Sequence, residues 1–244
     1  DGVSAPLAPA SIHSGTWRLD LLPTGGVWSR LEAAGAEPRA GHGMIYWPTG
    51  NALLVFGGQR TTSVSSVVST TLRLTLDDTP TWEVLPVAGD APPARTGHSV
   101  IYDPDGERMI VFAGMGSDGT VLGDLWALNL GGDLPSWEQL QSGGEAPLAR
   151  HDHAAMYVTY RKWMLVFGGM DAGSSDRGDV WALNLSAYPP TWSEIEPTGG
   201  VGPRARSGAA LAYGRGRLVL YGGQTGYGAD GTVTLTDTWH LSCL

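Results

Sequence analysis

A chain of 244 residues, 42% hydrophobic and 16% charged, can bury one substantial core and is too apolar to be disordered. Its formal charge of −9 argues against a nucleic-acid surface, because phosphate binding needs clustered cations. A lone cysteine, Cys243, excludes an internal disulfide framework, and no apolar run approaches membrane-spanning length. Residues 1 to 13, rich in Pro, Ala and Ser, read as a loop or linker. A chain that opens on Asp1 without methionine reads as processed, trimmed or cut from something longer. The segments Trp17 to Leu21 and Trp28 to Leu31 then predict two strands of a partial unit over residues 14 to 34. Three full units start at Arg39, Arg95 and Arg150, and a fourth starts at Arg206 and stops after Trp239-His-Leu241.

These units share a period of about 55 residues, which signals a repeat architecture. Seven residues beyond each arginine stands Tyr46, Tyr102, Tyr157 or Tyr213. Next comes an apolar run closed by Phe56-Gly-Gly, Phe112-Ala-Gly, Phe167-Gly-Gly or Tyr221-Gly-Gly. Two tryptophan registers follow, Trp17, Trp126, Trp181 and Trp239 in one, Trp28, Trp82, Trp137 and Trp192 in the other. Together these predict four short strands per unit, and a unit that small cannot bury its own faces. Radial repetition of four-stranded sheets makes an all-β fold, the β-propeller, over residues 14 to 244. The strand count exceeds a four-bladed ring and falls short of a five-bladed one, which favours membership of a larger six- or seven-bladed ring over a small irregular one.

The pattern resembles the kelch repeat. The resemblance rests on Arg39-Ala-Gly-His42 and Arg95-Thr-Gly-His98, on the Gly-Gly endings, on Asp124, Asp179 and Asp237 two residues before a strand-three tryptophan, and on the strand-four tryptophans. It covers about residues 15 to 242, several anchors recurring together as a repeat demands. The sequence departs from it at Asp152 and Ala113, where the family has glycine, at Ala209, where it has histidine, and at Leu72, where it has tryptophan.

Strand direction places the two-to-three and four-to-one connections on one face. The first of these are long: Gln59 to Thr70, Met115 to Gly123, Met170 to Gly178 and Gln224 to Thr236. Long polar loops on a rigid scaffold are where binding resides, so this face is the candidate. Positions filled alike in every unit are explained by building a blade, and positions that differ carry the functional information. Arg39, Arg95, Arg150 and Arg206 predict a ring of guanidiniums at the channel mouth, suited to carboxylates or committed to acidic and carbonyl groups of neighbouring blades. The resemblance to peptide-binding kelch domains makes these four the first candidates for ligand contact. Arg60 and Arg204 are unrepeated arginines on the same face, and His151 replaces Ala40, Thr96 and Ser207. His42, His98 and His153 share a register, so the sequence His151-Asp-His153 loses half its force as a metal motif, and each is expected to bond a backbone group. The aspartates before the strand-three tryptophans read as turn caps, and both tryptophan registers as core.

No metal, cofactor or catalytic residue is assigned. Asp118, Asp171, Asp176 and Asp230 lie in loops, without the twelve-residue calcium pattern. No Gly-x-Ser-x-Gly or His-Glu-x-x-His occurs. The kelch-fold copper radical oxidases need a cysteine crosslinked to tyrosine, and Cys243 sits at the extreme C-terminus. The related specifier proteins need a Glu/Asp/His set spaced by three, which is absent, while a sugar mutarotase leaves no readable motif. The expectation is a non-catalytic binding module for a protein segment or glycan. The alternative is a structural part of a larger assembly. No membrane insertion is implied, and secreted and cytosolic settings fit equally. Asn184-Leu-Ser is a glycosylation sequon in a predicted strand.

Overall fold

The computed structural model describes residues 12–198, 202–214, 216–226 and 231–242. Most of the expected linker, Arg215, Asp230 and Cys243 lie outside them. The chain is a β-propeller of antiparallel blades. It opens with a two-stranded hairpin, β1 (Thr16–Leu22) and β2 (Gly25–Leu31). Blade one follows as β3 (Gly43–Trp47), β4 (Ala52–Phe56), β5 (Thr71–Thr75) and β6 (Trp82–Val84). Blade two is β7 (Arg95–Thr96), β8 (Ser99–Asp103), β9 (Arg108–Gly116), β10 (Val121–Asn129) and β11 (Ser136–Leu140). Blade three comprises β12 (Arg150–His151), β13 (Ala154–Val158), β14 (Trp163–Phe167), β15 (Met170–Asp171), β16 (Val180–Asn184) and β17 (Thr191–Glu194). Blade four has β18 (Ala210–Gly214), β19 (Arg217–Tyr221), β20 (Gln224–Thr225), β21 (Val233–Thr234) and β22 (Thr238–Ser242).

Each blade repeats one register. Val55, Val111 and Val166 face Leu72, Trp126 and Trp181, while Leu19, Leu74, Leu128 and Leu183 face the strand-four tryptophans Trp28, Trp82, Trp137 and Trp192. The hairpin is therefore strands three and four of a unit, in its proper place. Its Ala34 forms a parallel bridge with Thr81, as Ala88 does with Ser136 and Gly143 with Thr191. Alternation then fixes packing: one face of each sheet meets the next blade. Ile110 and Phe112 of blade two pack against Met164, Val166, Leu183 and Trp192 of blade three in a single buried cluster. The Phe112 ring meets His153 edge-on at 5.3 Å and Trp192 at 4.9 Å, and Phe56 meets His98 and Trp137 at 5.4 and 4.9 Å. At about 25 cal/mol per Å² of apolar area, these junctions supply the main driving force for folding.

The structure corrects several sequence expectations. Met115 to Gly123 is not a free loop, because β9 and β10 extend through it to a tight turn closed by Thr120 on the Asp118 carboxylate. Trp17 and Trp28 are 60% and 64% exposed, whereas Trp192 is 3% exposed, because among the described residues no blade covers that face of the hairpin. Trp47 and Trp163, the two tryptophans outside both registers, lie by the one-to-two turns and are half-buried, the latter under the Arg161 guanidinium. On the face opposite the long loops, Lys162 in the β13–β14 turn pairs with Asp105 in the β8–β9 turn at 3.1 Å.

Candidate functional site

The four arginines mark where each unit enters its inner strand, and the structure closes them off. Arg95, Arg150 and Arg206 are fully buried. Arg150 illustrates the scheme: its Nε–H donates to the Leu148 carbonyl, one terminal nitrogen to the Gly168 carbonyl and Asp179 Oδ1, and the other to Asp179 Oδ2, at 2.8 to 3.0 Å. Arg95 repeats it on Asp124 and Ala113, and Arg206 on Asp237 and Gly222. Each carboxylate also accepts the indole N–H of the tryptophan two residues on. Two expectations are corrected here. The aspartates are salt-bridge partners rather than turn caps, and the partners lie within the arginine's own blade. Burial alone would raise the carboxyls of Asp124 and Asp179, but hydrogen bonds and charge from Arg95 and Arg150 hold both below the usual range. A buried bidentate pair of this kind is costly to break, and it leaves no fork free for a ligand.

Blade one differs. Thr70 and Leu72 stand where the other blades have Asp and Trp, so Arg39 donates to Thr70 Oγ1 at 2.7 Å, to the Gly57 carbonyl at 2.8 Å and to Glu37 at 3.0 Å. Its buried Nε has no partner among the described residues, and the same Glu37 carboxylate accepts from Arg60 at 2.8 Å. Glu37, Arg39 and His42 line a cleft of about 240 Å³ between the hairpin and blade one, with Trp17 and Trp82.

The register histidines are packing groups at the filled junctions. His153 lies against Phe112 with Nε2 2.7 Å from Ser99 Oγ of the preceding blade, a side chain where a backbone group was expected. Burial, then the charge of Arg95 or Arg150, pushes His98 and His153 down to about 3, so both stay neutral.

The unrepeated residues gather at the rim. Gly97 N–H donates to the Gly41 carbonyl, Asp152 N–H to Gly97, and Gly208 N–H to Asp152, at 2.7 to 3.0 Å. This belt of backbone hydrogen bonds crosses the blades where all four residues have φ between 52 and 63°. Glycine takes that conformation freely, and Asp152 takes it under mild strain. Its side chain, exposed, leans over Gly97, where a Cβ would fall 2.7 Å from Asp152 Oδ1. The other carboxylate oxygen lies 2.9 Å from His151 Nδ1. His151 and Asp152 thus form a pair in the one unit that departs from small residues at both positions. Arg60 and Arg204 are exposed, Arg60 tied to Glu37 and Arg204 offering its carbonyl to Arg206 Nε. Sequence reasoning singled out His151 and passed over its partner, although aspartate in a glycine register was the signal.

The whole frame, from the Arg-x-Gly-His rim to the aromatic-Gly-Gly strands, matches the KLHDC2/KLHL20/DRC7 kelch-repeats domain over residues 41–243. The chain belongs to the kelch family. Among curated relatives, this kelch chain is 32% identical over 175 residues to Adagio protein 3 of Arabidopsis thaliana, covering 71% of this chain and 27% of that protein. It is 30% identical over 221 residues to Acyl-CoA-binding domain-containing protein 4 of the same plant, covering 85% and 31%. The chain spans about a third of the relatives' length. Among solved structures, YjhT superposes with a TM-score of 0.68 at 16% identity, covering 91% of this kelch chain and 76% of that one. That likeness concerns the fold.

Proposed function

We propose that the kelch chain is a non-catalytic binding module that holds an extended protein segment on its loop face, across the rim between blades two and three. His151 and Asp152 make the central polar contacts, with Arg60 and Arg204 as outlying cations for acidic side chains. The observation that carries this reading is the His151–Asp152 pair, in which the exposed Asp152 carboxylate is presented on a backbone conformation that favours glycine and is backed by the largely buried His151 ring. Strain of this kind is kept where surrounding structure enforces it, and it clusters at binding sites. The bidentate arginines take no part, since their N–H groups serve the blades. Protein is favoured over glycan because the cluster offers charge and imidazole, while the extra tryptophans Trp47 and Trp163 lie by the opposite turns.

The test is a library of immobilised peptides, followed by titration of the best binder. The double variant His151→Ala with Asp152→Gly should weaken it at least tenfold, while the melting temperature stays level or rises because glycine suits φ of 52°. Undiminished capture by that variant would remove the rim from consideration.

A further inference from the structure

Blade one carries a charge imbalance that the other blades lack. Arg95, Arg150 and Arg206 each meet one carboxylate within the blade, so every such pair is neutral. Blade one has Thr70 in the aspartate register, and Glu37 stands two residues before its arginine, where the other blades have Pro93, Leu148 and Arg204. One Glu37 oxygen, Oε2, accepts from Arg39 at 3.0 Å and from Arg60 at 2.8 Å. Two guanidiniums therefore share one carboxylate, and the trio carries a single net positive charge. Burial alone would raise the Glu37 carboxyl, but hydrogen bonds and charge from both arginines hold it below the usual range, so it stays ionised. The surplus charge is reachable at Arg60, whose side chain is 45% exposed, while that of Arg39 is 3% exposed.

We propose that Arg60 receives an acidic side chain of the bound segment, and that Glu37 is its internal stand-in, passed to Arg39 alone when the ligand carboxylate arrives. The exchange rests on the reading that the loop face holds a protein segment. Arg39 has an unused donor for it. Its buried Nε has no partner among the described residues, and Nε shares one edge of the planar guanidinium with the nitrogen that already serves Glu37. A carboxylate leaving Arg60 can thus take both donors of that edge, trading a shared oxygen for a two-oxygen contact. The backbone around Arg60 is already closed on itself. Arg60 N–H donates to the Ser66 carbonyl at 3.2 Å, Thr61 N–H to Ser66 Oγ at 3.0 Å and Ser66 Oγ to the Ser63 carbonyl at 2.6 Å. Only side chains have to move. Glu37 also sets selectivity, because an ionised acceptor bonds a guanidinium about twice as strongly as a neutral one, and a neutral ligand group cannot displace it.

Titration of the best binder from the peptide screen, beside versions with each Asp or Glu changed in turn to its amide, tests the exchange. One amide replacement should weaken binding about tenfold, and Arg60→Gln should erase that difference. Glu37→Gln removes the competing charge and should tighten the acidic peptide about threefold, the scale of an exposed ion pair. Thr70→Asp should act the other way. Arg39 then gains the carboxylate its counterparts have, Glu37 is left to Arg60, and the acidic peptide binds about threefold more weakly. Both variants keep an oxygen acceptor for the buried guanidinium, and melting temperatures check that they fold. Binding indifferent to Arg60→Gln would overturn the proposal, as would shifts of one sign from Glu37→Gln and Thr70→Asp, or binders that carry no acidic residue. If such a peptide still needs His151 and Asp152, the loop-face reading stands without the exchange. A peptide that responds to Arg60 and Glu37 but ignores the His151–Asp152 pair would uphold the exchange and confine the error to the rim.

Discussion

The junction between blades two and three and the two end faces are written in the same residues, yet one is core and the others are surface. Trp192 is 3% exposed and Trp28 64%, while Phe112 is 0% and Tyr221 55% exposed. The difference teaches that a repeat sequence encodes half of an interface. Burial arrives only with the neighbour, as expected when units contact mainly adjacent units. An aromatic in a repeat register is therefore a statement about complementarity, and its energy is collected at the junction.

The sharpest way to break this comparison is to truncate the same register twice. Trp192→Ala should cost about 3–5 kcal/mol, since it empties a close-packed site against Phe112. Trp28→Ala should change monomer stability by no more than about 0.5 kcal/mol, the usual range for a surface substitution. Urea titration at low protein concentration measures both, and equal costs would mean that the hairpin face is covered within the monomer.

Acid separates filled junctions from the open one next. His98 and His153 sit at about 3 in the folded chain against an ordinary value of about 6.5 unfolded, so the unfolded state binds more protons between those limits. Their contribution is complete above about 6.5 and erodes as pH falls toward 3, by up to about 1.4 kcal/mol per pH unit for each histidine. His42, at the open cleft, is lowered by desolvation and then by the charge of Arg39, and contributes in the same direction. The melting temperature should thus decline from about pH 6, ahead of the protonation of Asp124 and Asp179. Changing His98 and His153 to Gln should flatten that limb, and an acid limb unchanged by the pair would show that the junction histidines do not govern it.

The smallest effect concerns backbone alone. Ala113 has φ of 60° where Gly57, Gly168 and Gly222 have 64 to 66°. Ala113→Gly should raise stability by less than about 1 kcal/mol, relief of left-handed strain exceeding the entropy added to the unfolded chain. A loss would mean that the buried methyl's packing outweighs its strain.

The propeller was legible because its anchors recur, and recurrence separates residues that build a blade from those that differ. What the sequence left unread was which recurring residues touch. Arg150 and Asp179 are 29 positions apart, and spacing alone does not tell a salt bridge from a turn cap. Blade one held the clue, since it loses aspartate and tryptophan together, at Thr70 and Leu72, and brings in Glu37 to serve the arginine. The rim was legible in part. His151 stood out against Ala, Thr and Ser, but the orientation of Asp152 follows from the belt of backbone bonds that sets its φ. The exposure of Trp17 and Trp28 depends on what packs beside them, which no local pattern can report.

Lys162 carries the only side-chain amine among the 244 residues, and it stands in a turn on the side away from the rim. Amine-directed coupling at that nitrogen would tether the molecule in one orientation, with the His151–Asp152 rim pointing away from the support. The arginine-rich, lysine-poor surface thus supplies a built-in handle for displaying the loop face to a ligand in solution.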